Sequence, residues 1–242
     1  MDNNIREKLF ANYSDTHIAF LKESDKEKLR WFDRYAELYY FPNFGQVPLS
    51  GQILEIGCNR GYLLKILNDR GYSNLTGIDL SPNDLAYAAK WNTGANLKCE
   101  DAFAHLDDRH EFYSLIIIKA VLEHIPKTQV ANLIAKMKAS LAPGGVVLID
   151  VPNMDWLFAT HERYMDFTHE VGFTKESLGQ LLRLEFGDAT VVPIDNNINL
   201  SPVTSTKKRF ARYVLGQLFS WADPEGASNP IWCRSILGIA RR

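Results

Sequence analysis

The sequence predicts an α/β fold in which a mainly parallel sheet carries helices on both faces. Short apolar segments of strand length alternate along the chain with amphipathic segments of helical period, which is typical of such sheets. The clearest unit is the stretch 53–67, where an apolar strand runs into a glycine turn and then an amphipathic helix. A length of 242 residues is enough for one large domain with its own core.

The elements follow in chain order. A capping box, Ser24-Asp25-Lys26-Glu27, predicts the start of a helix that ends before Pro42. Later helices are marked by cap residues, Ser81 followed by Pro82 in one case and Thr174 in another. Strands are predicted near 52–56, 75–79, 96–99, 114–119, 145–151, 187–194 and 235–241, with a helical insert near 206–221.

The turn after the first strand indicates a ligand pocket. Gly57 and Gly61 tolerate positive φ and close backbone approach, and Asn59 between them is one of the few other residue types that adopts the left-handed conformation readily. The spacing differs from the G-x-G-x-x-G of dinucleotide enzymes. Asp79 ends the next strand, where a carboxylate suits a ribose diol, and Glu55 suits a cationic ligand group. These features favour a nucleoside without phosphates.

Composition narrows the class of partner and the compartment. The net charge is −2 and the longest basic run, Lys207–Arg209 with Arg212, is interpreted as a solvated helix face, so nucleic acid is not an expected partner. We expect neither a membrane span nor a signal peptide. Three scattered cysteines, Cys58, Cys99 and Cys233, form no metal or disulfide pattern, and a cytoplasmic location is expected.

Five motifs in order and spacing give the chain a family resemblance over residues 52–153. They are Glu55-x-Gly57-x-x-x-Gly61, Asp79 ending the next strand, Glu100-Asp101-Ala102, Ala120-Val121-Leu122-Glu123-His124, and Leu141-Ala142-Pro143-Gly144-Gly145. With these motifs the chain resembles the class I S-adenosylmethionine-dependent methyltransferases. Asn59 departs from the glycine that many members carry. The resemblance implies a Rossmann-like, seven-stranded sheet of order 3-2-1-4-5-7-6 whose last strand is antiparallel.

The resemblance also implies where the cofactor, S-adenosyl-L-methionine, is held. The turn residues Gly57, Cys58, Asn59 and Gly61 are expected to hold its methionine part, and Asp79 its ribose. The product, S-adenosyl-L-homocysteine, would occupy the same positions.

The residues expected to contact the adenine and to form the base of the pocket come later in the chain. The resemblance places Leu80 beside the adenine, Asp101 on its amino group, and Ala102 and Phe103 nearby, while Lys119 and Ala120 lie beneath the cofactor. Each role has an alternative. Asp79 and Asp101 are otherwise exposed strand-end acids, Phe103 is a core residue, and Lys119 points toward an anionic acceptor.

The methyl acceptor is expected beyond the fifth strand. The segment Asp166-Phe167-Thr168-His169 before Phe173-Thr174 resembles methyltransferases of surface-polysaccharide and other sugar-modifying pathways. The chain is predicted to be a single methyltransferase domain, 1–242. Within it we expect an N-terminal helical cap or lid at 1–48, a cofactor-binding core at 49–153, and an acceptor-side segment with the C-terminal strands at 154–242.

Transfer of a methyl group to an alcohol requires removal of the hydroxyl proton, for which a near-neutral imidazole is suited. His169 is the first candidate base, with Asp166 orienting its ring, and His124 is the second. His161, Asp166 and His169 could alternatively bind a divalent metal, but we predict no metal site.

Three functions remain open at this point. The first is O-methylation of a sugar hydroxyl, on a small molecule or glycan that includes nucleotide- or phosphate-linked forms. The second is methylation of a phosphate or phosphoramidate oxygen or of a small-metabolite amine, for which Lys119, Arg163 and the basic run at 207–212 matter more than His169. The third is a non-catalytic, cofactor-binding partner subunit. Tyr13, His17, Trp31 and Tyr35 are either a lid over the site or helix packing.

Overall fold

A computed structural model describes residues 3–11, 13–14, 24–92, 94–196, 198, 202–222 and 231–242. Seven strands form one sheet. They are β1 (Gln52–Ile56), β2 (Asn74–Asp79), β3 (Asn96–Cys99), β4 (Tyr113–Lys119), β5 (Leu141–Pro152), β6 (Ala189–Ile194) and β7 (Ser235–Arg241).

The strand order is β3-β2-β1-β4-β5-β7-β6, which confirms the predicted sheet. All pairs from β3 to β5 are parallel, and β7 runs antiparallel to both β5 and β6. The carboxyl ends of β1 to β6 therefore share one edge of the sheet with the start of β7. Ligands of open α/β sheets bind at this edge, here called the carboxyl edge.

Helices cover both faces of the sheet. They are α1 (Asn3–Ala11), α2 (Asp25–Tyr35), α3 (Tyr62–Asp69), α4 (Pro82–Ala88), α5 (Ala102–Asp107), α6 (Lys127–Ser140), α7 (Ala159–Tyr164), α8 (Lys175–Phe186) and α9 (Pro202–Ala222). The predicted caps are confirmed, since the side chains of Ser24, Ser81 and Thr174 each accept a backbone N–H in the first turn of the helix they precede. Within the described residues, no helix has the length and apolar character needed to cross a bilayer.

The core lies on both sides of the sheet because successive strand residues point to opposite faces. Leu54 and Ile56 of β1 pack with Ile116 on one face, whereas Ile53 packs with Leu115 on the other. Each face is thereby closed by its own set of helices.

Two predicted boundaries are wrong, and each has a local cause. The predicted strand near 145–151 begins earlier, at Leu141, because Leu141 pairs with Tyr113 ahead of an irregularity in the β4–β5 register. The helix predicted to run unbroken to Phe41 ends its α-helical part at Tyr35. It continues as a π-helical turn over Ala36–Tyr40 and a 3₁₀ turn over Phe41–Asn43. The π turn inserts one residue, and this changes which side chains reach the core.

Candidate active site

The turn between β1 and α3 has the backbone conformation that its sequence predicts. Gly57, Asn59 and Gly61 have φ angles of +73°, +48° and +71°. A Cβ atom on Gly57 would lie 2.2 Å from Val121 Cγ2, and one on Gly61 would lie 2.4 Å from Asn92 Nδ2. Both glycines are thus required by conformation and by contact. The turn lies at the carboxyl edge, directly after β1.

Asp79 ties this turn to the end of β2. Its Oδ2 accepts the Asn59 backbone N–H at 2.7 Å, and its Oδ1 accepts the Ser81 backbone N–H at 2.8 Å. Burial raises the pKa of Asp79, and the two backbone hydrogen bonds oppose that rise. Each carboxylate oxygen keeps further acceptor capacity. The fixed carboxylate can therefore also accept two hydroxyl groups of a ligand.

Glu55, in β1 just before the turn, shows whether the residues present fit a cationic ligand. The residue is buried, and its Oε2 has no hydrogen-bond partner among the described residues. Burial, followed by the nearby Asp79 charge, raises the pKa of Glu55 well above its ordinary value. An unpaired buried polar group costs about 1–3 kcal/mol. A cationic group bound at the turn would offset that cost, so the residues fit a cationic nucleoside.

The remaining predicted cofactor residues divide into exposed and buried positions. Leu80 is 40% exposed at the carboxyl edge. Asp101 is the N-cap of α5, where its Oδ1 accepts the Phe103 and Ala104 N–H groups, so Oδ2 is the oxygen it can offer to a ligand. Cys58 and Ala102 are buried in the core, and Phe103 packs against the same core cluster as Ala102. Cys58 can accordingly offer a ligand its backbone only.

His124 lies at the head of a hydrogen-bonded chain. Its Nδ1 is 2.8 Å from Thr168 Oγ1, and that hydroxyl donates to Asp166 Oδ1 at 2.6 Å. Because the hydroxyl proton goes to Asp166, the Nδ1–H of His124 donates to Thr168. The other carboxylate oxygen, Asp166 Oδ2, accepts the Tyr13 hydroxyl at 2.8 Å. Against the effect of burial, the hydrogen bonds from Thr168 and Tyr13 lower the pKa of Asp166. This carboxylate acts on His124 through Thr168.

The predicted contact of the Asp166 carboxylate with the His169 ring is wrong, because that carboxylate binds Thr168 and Tyr13 instead, although the segment does turn there, with the His169 N–H donating to the Asp166 carbonyl oxygen. The His169 Nδ1 lies 3.0 Å from the Glu162 carbonyl oxygen, so Nδ1 carries the proton and Nε2 is the basic nitrogen. The rings of His169 and His124 have centroids 4.8 Å apart. Burial lowers the pKa of His169, opposed by the charge of Asp166. The half-buried imidazole is therefore neutral at neutral pH.

Glu123 completes a group of possible metal ligands that the sequence did not predict. One ligand atom each from Glu123, His124 and His169 lie within 4.8 Å of one another. The alternative set does not assemble, since His161 is exposed and Asp166 turns to Thr168 and Tyr13. Burial raises the pKa of Glu123 to about 8, which leaves the group without an anionic ligand at neutral pH. The absence of a resident metal stays a prediction.

Comparison with known proteins shows the family to which the chain belongs. Residues 6–187 match the family model described as a methyltransferase domain. The chain belongs to this family. The match runs from α1 to the end of α8 and so includes β1 to β5. It confirms the predicted class of enzyme and its predicted donor, S-adenosylmethionine.

Relatives of this methyltransferase act on different acceptors. EEF1A lysine methyltransferase 2 of Mus musculus is 34% identical over 98 residues, which are 38% of this chain and 36% of the relative. A ubiquinone biosynthesis O-methyltransferase of Bradyrhizobium sp. (strain ORS 278) is 28% identical over 113 residues, 45% of this chain and 43% of the relative. The chain thus spans less than half the length of these curated relatives. The SAM-dependent methyltransferase of Archaeoglobus fulgidus shares the fold with a TM-score of 0.67 at 18% identity, over 95% of this chain and 98% of that one.

The methyltransferase also contains a polar cluster at the end of β4 and β5 that sequence reasoning missed. Asp150 Oδ2 accepts hydrogen bonds from Tyr35 and Tyr40, both at 2.6 Å, and from Lys119 Nζ at 2.9 Å. Lys119 Nζ also lies 4.6 Å from the centroid of the Tyr35 ring. Lys119 is thus directed to Asp150, while its neighbour Ala120 adopts φ +51° and is exposed at the carboxyl edge.

The N-terminal segment spans the two halves of the site. Asn59 Nδ2 donates to Ser14 Oγ at 2.9 Å, and Ser81 Oγ donates to the Ala11 carbonyl at 3.2 Å. Beyond these contacts with the cofactor turn, the Tyr13 hydroxyl reaches Asp166 and its ring packs edge-on against His124. Of the four aromatic residues that the sequence singled out here, His17 lies outside the described residues.

Proposed function

We propose that this methyltransferase transfers a methyl group from S-adenosylmethionine to a hydroxyl group of a sugar, in the biosynthesis of surface carbohydrate. The observation that carries the proposal is His169, a neutral imidazole whose Nδ1 is fixed by the Glu162 carbonyl and whose Nε2 is left as the base. A hydroxyl acceptor needs such a base, whereas an anionic oxygen does not. The sequence resemblance around Asp166–His169 to sugar-modifying enzymes points in the same direction.

In this proposal the donor is held by the residues at the ends of β1 to β4. Bound S-adenosylmethionine supplies an electrophilic methyl group on a sulfonium. Glu55 and the turn of Gly57, Cys58, Asn59 and Gly61 face its methionine part, and Asp79 accepts from the ribose hydroxyls. Leu80, Asp101, Ala102 and Phe103 surround the adenine, and Lys119 and Ala120 form the floor at the end of β4. Of the N-terminal segment 1–48, the described parts, 3–11, 13–14 and 24–48, cover the pocket in this proposal.

The acceptor hydroxyl would lie against the two imidazoles. His169 Nε2 takes its proton as the oxygen attacks, and His124 is positioned beside it by Thr168 and Asp166. Alignment of acceptor and donor supplies a further part of the rate, because both are held in reacting geometry.

An anionic acceptor is less well supported by the same geometry. Lys119 pairs with Asp150, and Arg212 pairs with Asp195 at 2.6 Å. Arg163 donates to the carbonyl groups of His169 and Glu170. Three of the cations that a phosphate would need, Lys119, Arg163 and Arg212, are thus engaged within the chain. The experiment below distinguishes the sugar proposal from methylation of an amine and from a non-catalytic role. Nucleic acid is not an expected partner, and a cytoplasmic location stays an expectation.

The acceptor class is tested by transfer of radiolabelled methyl groups to three sets of compounds. The sets are nucleotide-linked and polymeric carbohydrates, phosphorylated small molecules, and primary amines including lysine peptides. We expect label in carbohydrate, in a form that resists mild alkali as an ether does. Label confined to amines or phosphate esters would contradict the sugar proposal. Binding of S-adenosylhomocysteine without transfer to any set would favour the non-catalytic reading.

Asp79→Asn is expected to weaken binding of S-adenosylhomocysteine by about 10–100-fold. The amide turns an N–H₂ group toward one of the two backbone N–H groups that now bind Asp79, and it loses a charge-assisted acceptor worth about 1.5–3 kcal/mol. Isothermal titration calorimetry measures the affinity. Asp188→Asn, at an exposed acid outside the site, is the matched control and should bind normally. Equal affinity of both variants for S-adenosylhomocysteine would contradict a role of Asp79 in binding it.

The rate should fall at acid pH with the protonation of His169. Its pKa lies below the ordinary value of 6.5, so the neutral base is fully present at neutral pH and is lost as the pH falls through that lowered pKa. We expect log kcat to drop with a slope of about one below that point. The profile is measured with saturating donor. His169→Gln should abolish this acid limb, and a limb that persists in the variant would assign the titration to another group.

A further inference from the structure

Helix α9 differs in charge from the rest of the chain. Its 21 residues include Lys207, Lys208, Arg209 and Arg212 but no acidic residue, although the whole chain has a net charge of −2. The sequence alone favoured a solvated face for this run. The structure places apolar side chains on the same surface, and this combination requires a different explanation.

A stripe of large apolar side chains runs along the outward face of α9. Phe210, Val214, Leu218 and Trp221 recur at intervals of four, four and three residues, which is one face of a helix. Their side chains are 69%, 41%, 56% and 86% exposed. On the opposite side of the helix Arg212 reaches Asp195 and is half-buried with Gly216, while Tyr213, Leu215 and Phe219 are exposed as well. Soluble surfaces seldom carry a continuous apolar stripe of this kind without a binding role.

The position of α9 relates this stripe to the site. The helix lies in the connection from β6 to β7, and Ile194 and Ser235 pair where that connection leaves and re-enters the sheet. Asp195, which binds Arg212, also binds the Tyr39 hydroxyl through its backbone carbonyl at 3.1 Å. The helix is therefore attached at the carboxyl edge, on the acceptor side of the pocket.

We propose that α9 binds the surface of a membrane that contains anionic phospholipid, with its apolar stripe in the headgroup region and Lys207 and Arg209 on the phosphates. A basic helix with an apolar face is typical of this mode of binding, and aromatic residues such as Trp221 favour the interface. The face is a single convex helix, and a fluid lipid surface can adapt to it where a protein partner would need a matching groove. The carboxyl edge would then face the membrane. The proposal does not depend on the identity of the acceptor.

Flotation of the full chain with lipid vesicles tests the proposal. We expect it to float with vesicles of phosphatidylcholine plus phosphatidylglycerol, to remain unbound with phosphatidylcholine alone, and to be released by salt. Lys207→Glu with Arg209→Glu should weaken binding by more than tenfold, since each basic residue near the surface contributes on the order of fivefold. Phe210→Ser with Trp221→Ser should abolish binding.

Leu184→Ser is the matched control, because Leu184 is 74% exposed on α8, away from the stripe. This control should bind vesicles like the parent chain, and all variants should bind S-adenosylhomocysteine normally, which separates loss of the surface from loss of the fold. Absence of binding to anionic vesicles would overturn the proposal. So would equal losses for the control and the stripe variants. Light scattering that shows the parent chain as a dimer, dissociated by the stripe substitutions, would assign the stripe to a second copy and overturn it as well.

Discussion

Replacement of His169 by alanine is expected to lower kcat by about 10²–10⁴-fold, the range that a well-placed general base contributes. The reason is the fixed tautomer: the Glu162 carbonyl holds the Nδ1 proton, so that only Nε2 can accept a proton from a hydroxyl. Steady-state kinetics with saturating donor measure the change. Affinity for S-adenosylhomocysteine should stay within about twofold, because His169 lies on the acceptor side.

Two further variants show whether the loss is chemical. His110→Ala, at an exposed histidine outside the site, should keep full activity. Thr168→Val removes the hydroxyl that links His124 to Asp166 but leaves His169 in place, so a smaller loss of kcat is expected. A Thr168→Val variant slower than His169→Ala would transfer the role of base to His124. Unchanged turnover in His169→Ala would contradict the sugar-hydroxyl mechanism.

Replacement of Asp150 by alanine is expected to cost about 3–5 kcal/mol in the free energy of unfolding. The substitution leaves the Lys119 ammonium and the hydroxyls of Tyr35 and Tyr40 without their shared acceptor in a buried position, and the loss of one partner of a buried charge pair has this magnitude. For a chain of this size about 2–4 °C in Tm corresponds to each kcal/mol. A decrease of roughly 6–20 °C should follow in calorimetry.

The double variant Asp150→Asn with Lys119→Met supplies the control. Removal of both charges avoids an unpaired ammonium, so the double variant should be more stable than Asp150→Ala. Together with the single variants Asp150→Asn and Lys119→Met it forms a double-mutant cycle that gives the coupling. Tyr35→Phe and Tyr40→Phe should each cost only about 1 kcal/mol, the net value of one hydrogen bond. A decrease of less than about 1 kcal/mol in the free energy of unfolding of Asp150→Ala would show that the cluster does not hold α2 to the sheet.

The sequence predicted what depends on local order and missed what depends on contacts between distant segments. The strands, the caps and the strand-end acid Asp79 follow from periodicity and from backbone preferences within a few residues. The Asp150 cluster does not, because it needs the π turn at 36–40 to bring Tyr35 and Tyr40, five residues apart, to one carboxylate. The Asp166–His169 pair was wrong for a similar reason. A spacing of three suggested contact, but the loop turns the carboxylate to Thr168 and Tyr13.

The short N-terminal segment links the two sides of the proposed site. Ser14 contacts the turn between β1 and α3, Ala11 contacts the cap of α4, and Tyr13 contacts Asp166, so one segment touches both the proposed donor side and the proposed acceptor side. In the mechanism proposed above, exchange of the spent donor would break contacts that also support the acceptor side. In that mechanism, release of the product and loss of the contact between Tyr13 and Asp166 would be one step, after methyl transfer.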